Sequence, residues 1–410
     1  MDILVIVGSC LTENSSANLC HCAYIKGLID AGHTVDLLSM SEKGKNTDAS
    51  IKLPPVNKHY TYYAMTLYER LSHKSNSSVV TLNGNTAAPV NGNVKKKKRK
   101  LINTHKLKAF IRKLYGIHQL DSAWYRKAKQ FRSDKEYDLV VSIAYPNMSH
   151  FLARYLIEKK HIHCNRWVQI WEDPWCAEMN FEYNYEKIKK IEGKLLLSPD
   201  KIIYVSPLTL KYQKEIFPES ASRMDWAPLP SYYASTPTSA QSSNSANKYG
   251  YFGDYDPAFR DLKPFYEAAK SAGITVNICG RPSNFFDSTD KITVYPRLPL
   301  DKLRPIENET NVLIFLCNLR GGQIPGKIYQ YSATDKKILF ILDGTEDEKK
   351  VIKEYFSRFN RYYFCENNKE SIAKAINSIE KGECDDISNT PLDLFTPEKI
   401  ARQLLDICME

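Results

Sequence analysis

The sequence predicts an α/β protein built from two doubly wound, mostly parallel sheets in tandem. Three observations predict it. Short apolar runs of strand length recur along the chain, and most lead into turns of small or polar residues. Helical stretches separate them, as crossovers between parallel strands require. The length, 410 residues, exceeds one ordinary core and suits two domains of roughly 150–230 residues.

Asp2-Ile-Leu-Val-Ile-Val-Gly8 reads as a central strand. A helix from about Ser16 to Ala31 follows, with Leu19, Ala23, Leu28 and Ile29 as its apolar stripe and Gly32 as its cap. Thr34 to Leu38 is the next strand, which completes a right-handed βαβ unit. Residues 41–135 lose this rhythm and read as an irregular insertion. Ser75 to Val94 is polar and loop-like. Lys95 to Lys100 is a run of six cations, and 101–115 continues as a basic amphipathic helix. Regular α/β structure resumes at Tyr137–Ser142, a helix at about Ser149–Lys160, and strands at Arg166–Trp171 and Lys201–Ser206. Residues 1–230 are therefore expected to form the first domain. The Ser/Thr/Ala-rich stretch 231–247 reads as a linker. A second domain is expected over 248–396, with strands at Lys248–Gly253, Ile274–Cys279, Ile292–Tyr295, Val312–Cys317 and Lys337–Leu342, and helices at about Leu262–Ala272 and from Pro325 to Ser332. A last helix, 397–410, carries Ile400, Leu404, Leu405 and Cys408 on one face.

Composition narrows the function classes. No run of about 18 apolar residues exists, so no membrane-spanning helix is expected. The short apolar start with Asp2 and no basic lead argues against a signal peptide, so a cytoplasmic location is expected. Cys20 and Cys22 flank His21, but no second pair has matching spacing. The ten cysteines are expected to be reduced and mostly buried, with no metal site. The net charge of +10 favours anionic partners. No helix-turn-helix, zinc-finger or RNA-recognition signature supports nucleic-acid binding.

Ligands of open parallel sheets bind beyond the carboxyl ends of the strands. That rule points at Gly8-Ser9, Tyr145, Glu172-Asp173, Gly253-Asp254, Gly280-Arg281 and Asn318 to Lys327. In the last segment a strand ends, Gly321 and Gly322 let backbone approach a ligand, and Pro325 and Gly326 open a helix whose free amides suit a diphosphate. Arg320 and Lys327 add full charges there. Glu172 and Asp173 sit where a carboxylate binds a sugar or accepts a hydroxyl proton. The neighbouring Trp171 and Trp175 are candidates for stacking on sugar rings, and Tyr145 and His150 for lining the same cleft. Asp254 and Asp256 flank Tyr255, and a loop-forming role is expected for them rather than a metal site.

The segment Gly322 to Tyr331, with Pro325, Lys327 and Tyr331 inside it, runs on into Ser332 to Phe340. Together they resemble the donor-site motif of group-1 (retaining, GT-B-fold) glycosyltransferases. Gln330 stands where that family carries an acidic residue for the ribose, and Gly322 where it carries another Glu. Gly8 with Ala31 to Val35, Lys201 to Ser206, Tyr251 to Gly253 with Arg260 and Lys263 beyond, and the closing helix are similar to further family segments, in the family's order. The resemblance spans nearly all the chain outside about 41–135. It implies a GT-B fold: two Rossmann-like domains facing each other across a cleft, with the C-terminal helix crossing back to the first. It also implies transfer of a sugar from a nucleotide-diphosphate sugar to a glycan or lipid-linked acceptor, with retention and without a metal or other cofactor, in cell-surface polysaccharide assembly. Cleavage of the sugar–diphosphate bond then leaves charge for fixed cations to absorb. Arg260 and Lys327 are the expected leaving-group stabilisers, with Lys263 and Arg281 as further candidates. The basic 95–115 segment suits an anionic membrane surface, which implies a peripheral position on the inner face of the plasma membrane. Two other readings stay open: a nucleotide-sugar epimerase or hydrolase on the same scaffold, and a non-enzymatic nucleic-acid binder using 95–100.

Overall fold

A computed structural model describes residues 1–63, 122–177, 185–232, 247–282, 284–383 and 386–410. The basic segment 95–115, the polar loop 75–94 and most of the expected linker lie outside them.

The first sheet has seven strands: β1 (Asp2–Val7), β2 (Thr34–Met40), β3 (Lys58–Tyr62), β4 (Glu136–Ala144), β5 (His163–Trp171), β6 (Lys201–Tyr204) and β7 (Met224–Trp226). Their order is β3-β2-β1-β4-β5-β6-β7 and every pairing is parallel. Val5 pairs with Leu37 on one side and Val141 on the other, so β1 is central. Ile3 to Val7 are all buried, which explains their continuous apolar run. Around this sheet lie helices α1 (Ser16–Asp30), α2 (Ser122–Ala128), α3 (Met148–Glu158), α4 (Tyr185–Leu196) and α5 (Pro207–Ile216). Ser15 caps α1 by accepting from the Asn18 amide at 3.1 Å, and Gly32, at φ +88°, reverses the chain just past its end.

The second sheet has six parallel strands: β8 (Lys248–Phe252), β9 (Thr275–Cys279), β10 (Ile292–Tyr295), β11 (Val312–Leu316), β12 (Lys337–Leu342) and β13 (Tyr363–Glu366). Their order is β10-β9-β8-β11-β12-β13. Its helices are α6 (Lys263–Ala272), α7 (Leu300–Asn308), α8 (Lys327–Ser332), α9 (Glu346–Ser357) and α10 (Lys369–Lys381). Thr345 and Glu348 form a reciprocal capping box at the start of α9.

The final helix, α11 (Pro397–Met409), leaves the second sheet and packs on α1. Its buried face is Ile400, Ala401, Leu404, Leu405 and Cys408. The approach is close: a Cβ added at Gly27 would lie 2.0 Å from the Pro397 carbonyl oxygen. Ser231 also donates its amide to the Phe395 carbonyl at 2.5 Å. One hydrophobic core therefore runs from α1 and β1 through α11 to β11, β12 and α8. A separate cluster fills the far side of each sheet. The architecture is the two-domain α/β fold expected, with two doubly wound sheets and a closing helix that crosses back.

The structure adds strands beyond those expected. Strand β3 lies inside 41–135, where only irregular structure is expected, and β7 and β13 extend the sheets. The helix expected from Pro325 starts at Lys327 instead, with Gly326 as its N-cap and Pro325 only accepting from the Ile328 amide.

Candidate functional site

Each sheet winds outward in both directions from its first strand. The switch points therefore lie between β1 and β4 and between β8 and β11, where strand ends diverge and leave a crevice. Several polar contacts carry one domain onto the other. The Gln323 side chain donates to the Asp173 carboxylate at 2.7 Å. The Ser206 hydroxyl, which also caps α5, donates to the Gly322 carbonyl at 2.7 Å. Tyr212 donates to Glu348 at 3.3 Å, and Arg297 to the Asn14 carbonyl at 3.2 Å. The strand-end loops of the two domains thus meet across one cleft.

Arg260 sits at the second switch point. Its Nε and Nη2 both donate to the Asn318 side-chain oxygen, at 3.1 and 2.7 Å, and Nη1 donates to the Asp254 carbonyl at 3.1 Å. Asn318 follows β11 and Asp254 follows β8, so the guanidinium spans the two diverging strands. Among the described residues it has no carboxylate within ion-pair distance, although it is half-buried. The other expected cations are held differently. Lys327 opens α8 and pairs with Glu307 at 3.4 Å. Arg281 binds Asp254 through Nη2 at 2.8 Å, and Arg297 joins the same carboxylate at 3.2 Å. Asp254 therefore organises loops, as expected, and Asp256 does so by accepting from the Ala258 amide at 2.8 Å. Lys263 pairs with Glu267 one turn along the exposed face of α6, at 3.8 Å. Arg320 is exposed.

The glycines expected to let a ligand approach serve the protein's own packing. The Gly8 amide donates to Ser149 Oγ at 2.9 Å, and a Cβ there would lie 3.0 Å from both Pro146 and Trp124. The Gly253 amide donates to the Cys279 carbonyl at 2.9 Å. Gly322, at φ +67°, faces Leu208 of α5, 2.7 Å from where a Cβ would be. Gly326 faces Leu229 at 3.0 Å. Gly321, at φ +94°, donates its amide to Glu348 Oε1 at 3.1 Å. The free amide expected at Gly321 is thus held by a carboxylate of the same chain. Gln330 is buried in α8.

The acidic pair after β5 divides into two environments. Glu172 is buried, with Oε2 3.3 Å from His21 Nε2. Asp173 is exposed at the turn, yet enough protein surrounds its carboxylate to desolvate it. That desolvation, and then the charge of Glu172, push its carboxyl up to about 6, against the opposing pull of the Gln323 hydrogen bond and of His21. A carboxyl poised there changes protonation near neutral pH, as a proton acceptor requires.

Three expectations fail in this region. Trp171 and Trp175 are 0% and 3% exposed, so their rings fill the core and do not stack on a sugar. His150 is fully buried against Trp171, ring centroids 4.4 Å apart, with Nδ1 2.7 Å from Ser142 Oγ. Burial pushes its imidazole down to about 3. Tyr145 is 48% exposed and follows the end of β4. Asn318 and Gln323 lie in the expected segment Asn318 to Lys327 but had no role of their own assigned, and His21 joins the site unexpected. Its signal in the sequence is an ionisable ring in the middle of an apolar helix.

No protein-family model matches the chain, and no curated protein matches it by sequence. Solved structures do match. Sucrose-phosphate synthase from Thermosynechococcus elongatus is 13% identical over 100% of this chain and 96% of that chain, with a TM-score of 0.52. A glycosyltransferase from Rickettsia africae is 13% identical over 99% of this chain and 97% of that chain, with a TM-score of 0.50. At such identities the likeness speaks for architecture, and it covers both domains and the cleft: the chain has the GT-B fold.

Proposed function

We propose that this chain is a glycosyltransferase that moves a sugar from a nucleotide-diphosphate sugar to a hydroxyl of a glycan or lipid-linked acceptor. One observation carries the reading. Arg260 is fixed by Asn318 at a switch point, partly desolvated, with no carboxylate to neutralise it among the described residues. A guanidinium held in that way is a fork for phosphate oxygens. Across the cleft, Asp173 supplies a carboxyl that exchanges its proton near neutrality. In this reading Arg260 absorbs charge on the departing diphosphate and Asp173 takes the acceptor's proton. Lys327, already paired with Glu307, adds field rather than a free contact. The retaining, metal-independent course and the place in cell-surface polysaccharide assembly follow from the family resemblance. The basic 95–115 segment suits attachment to an anionic membrane surface. Among the described residues no helix is long and apolar enough to cross a membrane.

Titration calorimetry with UDP, GDP and ADP tests the reading, followed by the sugars of whichever nucleotide binds. One nucleotide is expected to bind, and Arg260→Met to weaken it about tenfold or more, the worth of a charge-assisted pair. Absence of binding by all three would remove the basis of the proposal. Conversion of a donor into its epimer without an acceptor would assign the cleft to the epimerase class.

A further inference from the structure

We propose that His21 is a positioning residue of the cleft: sealed beneath the turn after β5, its imidazole faces the Glu172 carboxylate at ion-pair distance and so fixes the surroundings of Asp173, the group that exchanges a proton with an acceptor hydroxyl. The inference rests on the glycosyltransferase reading for its purpose, but its geometry stands separately.

His21 lies in the middle of α1, whose neighbouring residues Leu19, Cys20, Cys22, Ala23 and Ile25 form a buried, largely apolar surface. Its ring is 0% exposed. Nε2 approaches Glu172 Oε2 at 3.3 Å, outside good hydrogen-bond geometry, and Nδ1 has no hydrogen-bond partner among the described residues. The same holds for Glu172 Oε1 and the Tyr24 hydroxyl. A buried polar atom left unpaired destabilises the fold, so a leucine or phenylalanine in place of His21 would suit folding better. Local conflicts of this kind mark functional sites.

The charges around Asp173 come from three elements. Helix α1 contributes His21 and the Cys20 thiol, the turn itself contributes Glu172, and α8 contributes Lys327, whose field reaches Cys20 together with both carboxylates. Glu172 and His21 act on Asp173 in opposite directions. A residue that merely fills space would not produce that opposition.

The test reads the Asp173 carboxyl directly and needs no substrate. Protein carrying 13C-labelled aspartate carboxyls is titrated by NMR, with the Asp173 signal assigned by its loss in Asp173→Asn. His21→Gln is expected to raise the Asp173 midpoint and Glu172→Gln to lower it, the second by more. Removing both together, in His21→Leu with Glu172→Leu, is expected to place the midpoint between those of the two single variants. That double variant also serves if His21→Gln does not fold. A midpoint unmoved by His21→Gln, shifts of the same sign in both single variants, or a double-variant midpoint outside the range set by the single variants would overturn the inference. Once a donor is known, the acidic limb of kcat/KM follows the same opposed shifts. Failure of nucleotide binding with intact opposed shifts would sink the functional reading and spare this one.

Discussion

Glu348→Gln is expected to tighten nucleotide binding. In the structure this buried carboxylate accepts from the Gly321 amide at 3.1 Å and from Tyr212 at 3.3 Å. Its other oxygen accepts from the Thr345 amide at 2.9 Å and hydroxyl at 3.1 Å. It fills the seat at Gly321 that the proposed donor's diphosphate is expected to use. A phosphate charge brought to within about 4 Å of it meets roughly 4 kcal/mol of repulsion at an effective dielectric of about 20. Glutamine removes the charge; its one carbonyl oxygen serves the capping box at Thr345, and the Gly321 amide is left for a phosphate oxygen. If half of that repulsion survives local rearrangement, the gain is about 2 kcal/mol, or roughly thirtyfold in Kd. The assay is titration calorimetry at low and moderate salt, using the nucleoside diphosphate that the unsubstituted protein prefers. The gain should shrink as salt screens the charge. An unchanged or weaker affinity in Glu348→Gln, with the melting temperature preserved, would mean that the phosphates lie elsewhere in the cleft.

Gly27→Ala tests the crossing of α1 and α11. The new methyl would sit 2.0 Å from the Pro397 carbonyl oxygen, so α11 must move outward by about 1 Å, and a loss of about 2–3 kcal/mol is expected in urea unfolding. Gly32→Ala, with no atom within 4 Å but φ at +88°, should lose only about 1 kcal/mol, and equal losses in the two variants would refute the packing argument. Glu192 sets a pH dependence. It is fully buried in α4, and burial pushes its carboxyl from the ordinary 4.5 up to about 8. The folded state therefore holds a proton that the unfolded chain has released, and stability falls as pH rises from 4.5 through 8. Glu192→Gln should flatten that fall in chemical unfolding measured across the window, and an unaltered slope would show that other groups cause it.

Much of the scaffold was legible because buried parallel strands are written as apolar runs. Strands β1, β4, β11 and β12 announce themselves in that way. Strand β3, Lys58-His-Tyr-Thr-Tyr62, does not, since it lies at the sheet edge with mostly exposed or half-exposed side chains. Strand β7 has only three residues. The carboxyl-end rule pointed at Glu172 and Asp173, and the family resemblance at Arg260, and all three lie near strand ends around the cleft. Neither revealed what they touch. Gln323 is 150 positions from Asp173, and Glu172 and His21 come from different elements, so no local pattern joins them. The tryptophans misled for a related reason. Their position beside a strand end says nothing about which way the ring turns, and both turn into the core.

The return of α11 to the opposite domain makes each half incomplete by itself. A chain stopped before Pro397 would present the α1 surface around Tyr24 and Leu28 to water, and the first domain expressed alone would carry the same bare patch. Opening of the cleft must likewise leave this seam closed. The two halves are therefore bound on one side, like a book whose spine is sewn with the thirteen residues of its closing helix.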